Sequence, residues 1–282
     1  MTIRSIASIA LLACAVSASA ATAPPAPAGT SAALSAEQIV ERNVAARGGL
    51  QAWRKVETMA WIGHVQGDAD SSPPMPFALE LQRPNRTRFE VSSADRRFTR
   101  IFDGTMGWKV RPSGNGLPEV KAFSKEEVTF SRDEFVIDGP LVDYASKGVA
   151  LKLAGLDEID GRKAYLLEVT LPGGASRRIW VDAQTFLDFR CDRPSTSPLT
   201  KGAAVSVYYR DFKDVDGLLI PHTIETRAGS DGRSQILAID RVALNPSLPV
   251  QAFAKPAVPK QRHRAIVRVG SDPVAPPAGA MH

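Results

Sequence analysis

The chain has 282 residues, of which 44% are hydrophobic, so it is long enough to bury a proper core and to form one domain. Its formal net charge is +5, and its lysines and arginines are spread among acidic residues, which is typical of a mixed solvated surface. A nucleic-acid-binding protein would carry a basic cluster interleaved with exposed aromatic residues. The nearest basic cluster, residues 260–268, holds no aromatic residue, so no nucleic-acid partner is expected.

The amino terminus has the pattern of a secretory signal over residues 1–20. Arg4 supplies the positive charge, residues 6–16 form an apolar run, and residues 18–20 form a small-residue cleavage site. This pattern predicts a periplasmic protein. An alternative interpretation makes Cys14 a lipid-anchored cysteine, although Leu12 stands where such motifs prefer a small residue.

Two further segments are expected to lie outside the fold. Residues 21–34 form an Ala- and Pro-rich lead-in that cannot pack a core, and we expect it to be flexible. Residues 257–282 form a basic tail that we expect to be disordered. The folded domain is therefore predicted to span residues 35–256.

This domain is predicted to begin with a helix. Ser35 followed by Gln38 is the pattern of a capping box, in which each residue's side chain accepts from the other's backbone. Gly48 and Gly49 are expected to end the helix.

After the helix, apolar and polar residues alternate along short segments separated by Pro- and Asn-containing turns. This period of two predicts antiparallel strands with one strongly apolar face. The large apolar residues of these strands include Trp61, Phe77, Leu79, Leu81, Phe89, Val91, Phe102 and Trp108.

A helical insertion, predicted over residues 124–144, interrupts the strands. Ser124 and Glu127 form a second capping-box pattern, and Pro140 suits the first turn of a second short helix. The insertion needs a partner for its apolar side chains, and the open face of the sheet is the nearest one. These side chains include Val128, Phe130, Val136 and Leu141.

The second half, residues 149–242, is predicted to be a β-meander. Asp160-Gly161 and Asp216-Gly217 are hairpin turns, because Asp-Gly readily adopts the positive φ angles that tight turns need. Its apolar strand positions include Tyr165, Leu167, Val169, Val207 and Tyr209. The large side chains of both halves either fill the core of a sandwich or barrel, or line an apolar cavity on a concave face.

No catalytic, metal or cofactor motif is present in the sequence. The histidines do not have the repeated spacing of metal ligands, so neither a metal nor a cofactor is expected. Cys191 is the single cysteine left once Cys14 leaves with the signal, and we expect a buried, unreactive thiol. Asp160, Asp182 and Asp216 lie at turn signals, which favours turn formation over a hydrolytic acid pair.

The order of these elements resembles the LolA-like and LolB-like lipoprotein carriers. The resemblance covers residues 35–256. The matching segments are residues 46–50 with Trp53, residues 102–104 with Trp108, residues 179–182, residues 209–212 with residues 215–218 and Pro221, and residues 242–245 with Phe253 and Pro256. The resemblance implies a mainly β fold with short helices, an incomplete antiparallel β-barrel (half-barrel) with an N-terminal helix and a helical lid insertion. It also implies an apolar cavity for acyl chains and an arginine that tethers the lid, which no motif here identifies.

The predicted lipid-binding residues combine this resemblance with the apolar pattern. They are Trp61, Phe77, Leu79, Leu81, Phe89, Val91, Phe102, Trp108, Val128, Phe130, Val136, Leu141, Tyr165, Leu167, Val169, Val207 and Tyr209.

Three functional hypotheses follow. The first is a monomeric, non-enzymatic carrier of a lipid-like ligand, such as the acyl chains of lipoproteins, with a possible transient membrane-protein partner. The second is an envelope sensor or scaffold domain that binds another protein and transports no ligand. The third is a hydrolase that acts on envelope polymers through its aspartates.

Overall fold

The structure is a computed structural model that describes residues 33–67, 73–94, 96–113, 118–134, 136–195, 204–228 and 234–257. The predicted signal at residues 1–20, with Cys14, lies outside the described residues. Most of the predicted lead-in (21–34) and tail (257–282) lies outside them as well.

The described chain begins with two helices. Helix α1 spans Ala36–Ala46, and its predicted capping box is confirmed: the Gln38 backbone N–H donates to Ser35 Oγ (3.2 Å) and the Ser35 N–H donates to Gln38 Oε1 (2.9 Å). Gly48 and Gly49, both at positive φ, end the helix as predicted. The short helix α2, Leu50–Arg54, buries Trp53.

The sheet has 13 strands, and every pairing in it is antiparallel. The strands are β1 Thr58–Gly67, β2 Met75–Gln82, β3 Arg86–Ser93, β4 Arg96–Phe102, β5 Gly107–Pro112, β6 Pro118–Ala122, β7 Ala150–Ile159, β8 Arg162–Thr170, β9 Ser176–Asp182, β10 Asp188–Pro194, β11 Ala204–Val215, β12 Leu218–Ala228 and β13 Ser234–Leu244. A 3₁₀ helix, Val250–Phe253, follows β13.

The first and last strands along the chain, β1 and β13, lie side by side in the middle of the sheet. The strand order runs β6-β5-β4-β3-β2-β1-β13-β12-β11-β10-β9-β8-β7, so β1 pairs with β13 while every other pair joins sequence neighbours. Among the described strands, β6 and β7 are the two edges and do not pair with each other. The fold is therefore mainly β, and the predicted incomplete antiparallel barrel is confirmed.

One face of the sheet, called the inner face here, carries the large apolar residues of β1 and β2. Trp61 pairs with Leu79, and Gly63 pairs with Phe77 two residues further on. A Cβ atom at Gly63 would lie 2.0 Å from the carbonyl oxygen of Ala238, so only glycine lets β1 and β13 approach this closely.

The opposite, outer face carries separate apolar clusters. In one, Trp108 and Ile101 pack with Ala252 and Phe253 of the 3₁₀ helix. In the other, Trp180 packs with Ala164 and Phe189. Trp108 thus lies on the face away from the other predicted residues of β2–β4.

The lid insertion, which extends over residues 124–148 and is called the lid from here on, connects edge strand β6 to edge strand β7. Helix α3 spans Lys125–Arg132, and its predicted capping box between Ser124 and Glu127 is confirmed. The prediction of a second helix at Pro140 is wrong: residues 136–148 form consecutive turns. Positive φ angles at Gly139 (72°) and Asp143 (53°) interrupt any helix there.

Both edge strands carry charged or irregular features. On β7, a bulge lies between Leu153 and Gly155, and Lys152, Asp157 and Glu158 supply charges. The shorter β6 begins at Pro118. No described helix has both the length and the apolar character that crossing a bilayer requires.

Candidate functional site: a cavity beneath the lid

A cavity of about 400 Å³ lies between the inner face and the lid. It runs beneath residues 136–141 and over β9 to β13, with β1 and β2 on its other side. Its apolar walls are formed by Trp53, Met59, Trp61, Leu79, Phe130, Val136, Ile137, Pro140, Leu141, Ile179, Val207, Phe212, Ile220, Pro221, Ile224 and Leu237. The volume falls within the range of roughly 300–1,000 Å³ found for small-molecule sites.

The structure brings seven of the seventeen predicted residues to this cavity. These are Trp61, Leu79, Phe130, Val136, Leu141, Val207 and Tyr209. They come from β1, β2, β11 and the lid, so the predicted meeting of the lid with the inner face does occur.

Nine other predicted residues lie elsewhere on the inner face or the lid. Phe77 packs on Phe89, with ring centroids 5.7 Å apart. Phe102 stacks on Phe123, and Tyr165 stacks on Phe186. The remaining five are Leu81, Val91, Val128, Leu167 and Val169.

Leu167 and Val169 illustrate why these residues do not reach the cavity. They pair with Ile179 and Arg177, which do line it, so they share its face, yet both are fully buried by neighbouring side chains. The tenth residue outside the cavity, Trp108, lies on the outer face.

Arg47, the residue that caps the end of α1, is one of the arginines that reach from the wall to the lid. Its Nη1 donates to the carbonyl oxygen of Asp138 (3.3 Å) and lies 3.7 Å from Asp188 Oδ1. Its guanidinium carbon lies 4.7 Å from the centre of the Trp53 ring. Arg47 is 8% exposed, and these contacts compensate the cost of burying its charge.

Two more arginines lie at the other end of the cavity. Arg177 Nη2 donates to Glu134 Oε1 (2.8 Å). Burial works to lower the pKa of Arg177, but the ion pair with Glu134 outweighs it and raises the pKa. Arg193 lies with its guanidinium 4.8 Å from the centre of the Phe130 ring of α3.

Asp138 fixes the lid over the cavity. Its carboxylate, 3% exposed, pairs with Arg83 Nη2 (2.8 Å) and Lys147 Nζ (2.6 Å). Arg83 also donates to the backbone carbonyls of Val56 and Trp53. This network joins the lid to the segment before β1 and to the turn between β2 and β3.

The cavity wall also contains a thiol and a phenol that stay protonated near neutral pH. Burial raises the pKa of Cys191 to about 12, and burial likewise raises the pKa of Tyr209. The predicted burial of Cys191 is confirmed. Among the described residues, no three His, Cys, Asp or Glu side chains converge as metal ligands would.

The three predicted turn aspartates lie in or beside turns, as expected. Asp182 Oδ1 accepts from the backbone N–H groups of Gln184 (2.9 Å) and Thr185 (2.8 Å). Asp160 and Asp216 adopt positive φ at their hairpins.

Two buried N–H donors of the wall have no partner among the described residues: Arg47 Nε and Trp61 Nε1. A buried donor without an acceptor costs about 1–3 kcal/mol, so a ligand that carries oxygen atoms would gain by reaching them.

Sequence reasoning missed the charged residues of the wall: Arg47, Glu134, Arg177, Asp188 and Arg193. Alternation could have located Arg177 and Arg193, because each stands two residues from an inward-facing neighbour, Ile179 and Cys191. A charge at such a position is normally taken as evidence for the solvated face.

Comparisons with known proteins identify the fold. No family model and no curated protein sequence matches the chain. Among the solved structures that are similar, three match over most of their length. A LolA superfamily protein from Nitrosomonas europaea is 15% identical, with a TM-score of 0.53 over 79% of this chain and 99% of that one.

The other two are a domain described as outer membrane lipoprotein-sorting, from Vibrio parahaemolyticus, and a DUF1329 family protein from Desulfovibrio piger. They are 13% and 12% identical, each with a TM-score of 0.52, and the matches cover 78% and 77% of this chain and 96% of each of those chains. The chain therefore has the fold of the LolA superfamily proteins and outer-membrane lipoprotein-sorting domains, as the sequence resemblance predicted.

Proposed function

We propose that this protein is a carrier or binding protein that holds a lipid-like ligand in the cavity beneath the lid. The observation that carries the proposal is the cavity itself. A largely apolar space of about 400 Å³ remains between the inner face of the sheet and the lid, although both bury apolar residues elsewhere. Removing acyl chain from water is worth roughly 0.8 kcal/mol per methylene, so burying ten methylenes offers roughly 8 kcal/mol before the cost of association.

Acyl chains, including those of lipoproteins, are the ligand class that we propose. The similarity in fold to a lipoprotein-sorting domain supports this choice. The protein is proposed to act by binding alone, and the protonated states of Cys191 and Tyr209 and the turn positions of Asp182 and Asp216 support that view.

We place this activity in the periplasm, on the signal pattern of residues 1–20. Cell fractionation followed by mass measurement of the mature amino terminus tests this. Cleavage after residue 20 is expected, whereas an acylated Cys14 would mean that the protein is membrane-anchored.

Binding is tested by displacement of a fluorescent fatty acid and by native mass spectrometry of gently purified protein. Leu79→Trp, which fills the cavity, is expected to weaken fatty-acid uptake at least tenfold. Ala78→Trp is the matched control, because Ala78 is the exposed neighbour of Leu79 on the opposite face of β2, and it should bind as the unaltered protein does.

Two outcomes count against the proposal. Equal uptake by both variants would show that fatty acid binds outside the cavity. A protein that takes up no fatty acid but captures an envelope protein would favour the sensor or scaffold hypothesis.

A further inference from the structure

The charges that face the cavity do not balance. Three guanidinium groups line it, those of Arg47, Arg177 and Arg193, against two carboxylates, those of Glu134 and Asp188. Arg177 pairs with Glu134 at 2.8 Å, and Arg47 lies 3.7 Å from Asp188. Arg193 makes no ion pair with any carboxylate in the part of the chain that the structure describes. The cavity lining therefore carries one positive charge in excess, and Arg193 is the arginine without an ion-pair partner in it.

This charge lies at the mouth of the cavity. Arg193 lines the cavity and also two surface grooves, one along β8 to β10 and one beneath α3. Its guanidinium is half-buried and stacks on Phe130, which covers one face of the planar group. Stacking leaves the N–H donors along the edge of a guanidinium free to bind a carboxylate or phosphate.

The cavity extends away from Arg193 along the strands. Asp188 lines the far end and precedes Arg193 by five residues on the same strand, β10, which corresponds to about 16 Å at roughly 3.3 Å per residue. At the far end the charge of Arg47 is already opposed by that of Asp188, and Arg47 also meets the Asp138 carbonyl and the Trp53 ring. Its Nε donor has no partner among the described residues, but the charge there is balanced without a second anion. A single elongated guest with one charged end fits this asymmetry.

We propose that the ligand is a single-chain amphiphile with an anionic oxygen headgroup, a carboxylate or a phosphate, bound by Arg193 at the mouth. Its chain lies along β10 to β12 towards Trp53 and Met59. A volume of about 400 Å³ is near the lower end of known ligand sites, which suits one chain better than the several chains of a lipoprotein. This inference rests on the proposed function and narrows its ligand class.

The test compares three probes that share a sixteen-carbon chain and differ in the headgroup: hexadecanoate, monohexadecyl phosphate and hexadecanol, each below its micelle concentration. At low salt, at least one anionic probe is expected to bind ten times more tightly than the alcohol. The anionic probe with the larger advantage then identifies the headgroup.

Arg193→Gln should abolish that advantage, so that the anionic probes bind no more tightly than hexadecanol does, while Arg193→Lys should retain part of it. Arg162→Gln is the matched control: Arg162 also stacks on a phenylalanine ring, that of Phe189 at 5.1 Å, but does not line the cavity. It should bind all three probes as the unaltered protein does. Thermal unfolding of each variant checks that the fold is intact.

The outcomes distinguish the headgroup assignment from the proposed function. Equal affinity for the three probes, or an anionic advantage that survives in both Arg193 variants, would overturn the headgroup assignment and leave the proposed function standing. Failure of all three probes to bind would overturn the proposed function itself.

Discussion

The two halves of the lid are attached to the sheet by different physical means. The turns at residues 136–148 bury Ile137, Leu141 and Val142 and hold Asp138 in two ion pairs. Helix α3 buries no residue fully, and its contacts to the sheet are polar or at the surface.

Glu127 joins α3 to the sheet through two ion pairs: its carboxylate accepts from Lys109 Nζ (2.7 Å) and Arg100 Nη2 (3.1 Å). The helix is also held by the Phe130–Arg193 stack and by a hydrogen bond from Asn85 to the Arg132 carbonyl (3.0 Å). Segments with few buried apolar contacts open at the lowest free energy. We therefore expect α3 to open at a lower free energy than the turns at residues 136–148.

Among the substitutions that test this difference between the two halves of the lid, Asp138→Asn should have the largest effect on stability. It removes the charge partner of Arg83 and of the mostly buried Lys147, and loss of one member of a buried pair costs about 3–5 kcal/mol. We expect a drop of about 3 kcal/mol in the free energy of unfolding, measured by urea denaturation.

Asp143→Asn is its control, because Asp143 in the same segment forms a more exposed pair with Arg54 and asparagine tolerates its positive φ. Equal losses in the two variants would contradict a special role for Asp138.

A smaller effect is expected when apolar groups are removed from each half. Leu141→Ala should cost about 2–3 kcal/mol, because a fully buried leucine is lost from the turns. Val128→Ala on α3 should cost about 0.5–1 kcal/mol, because Val128 is only half-buried. Urea denaturation measures both, and a reversed order would mean that α3 is the more firmly seated half.

Lowering the pH is expected to have the smallest effect on global stability and to destabilise α3 more than the rest of the lid. Burial works to raise the pKa of Glu127, but hydrogen bonds from Lys109 and the Ser124 N–H, with the Arg100 charge, outweigh it and lower the pKa. A carboxyl whose pKa is lower in the folded state stabilises the fold above its unfolded pKa of about 4.3. That contribution is lost as the pH falls through the folded value.

Amide-exchange protection of α3 should therefore fall between pH 6 and pH 3.5, by more than that of residues 136–148. Glu127→Gln, which can keep the capping box, should show low protection of α3 at both pH values. Protection that does not depend on pH in the unaltered protein would show that other contacts hold the helix.

Local signals in the sequence were sufficient for most of the elements. Both capping boxes and both Asp-Gly hairpins depend on residues within three or four positions of each other, and the structure has them where predicted. The central pairing of β1 with β13 joins residues about 180 positions apart, so no local pattern specifies it.

The site was harder to predict than the elements. Alternation groups Met106, Trp108 and Val110 on one face of β5 but cannot say which face is inner. In the structure Gly107 faces inward, because the Phe123 ring lies where its Cβ would be, and Trp108 therefore points outward. The sequence did not predict the arginines of the cavity, because the cost of burying them is offset only by tertiary contacts with Glu134, Asp188 and Phe130.

The two edge strands of the sheet, β6 and β7, determine how it behaves in concentrated solution. An open sheet exposes unpaired backbone groups along both edges, and these can pair with strands of other molecules and lead to aggregation. Such strand addition is hindered by the bulge between Leu153 and Gly155, by the charged residues of β7 and by the proline that starts β6. These features of the two edges let the sheet stay unclosed without pairing with a strand of a neighbouring molecule.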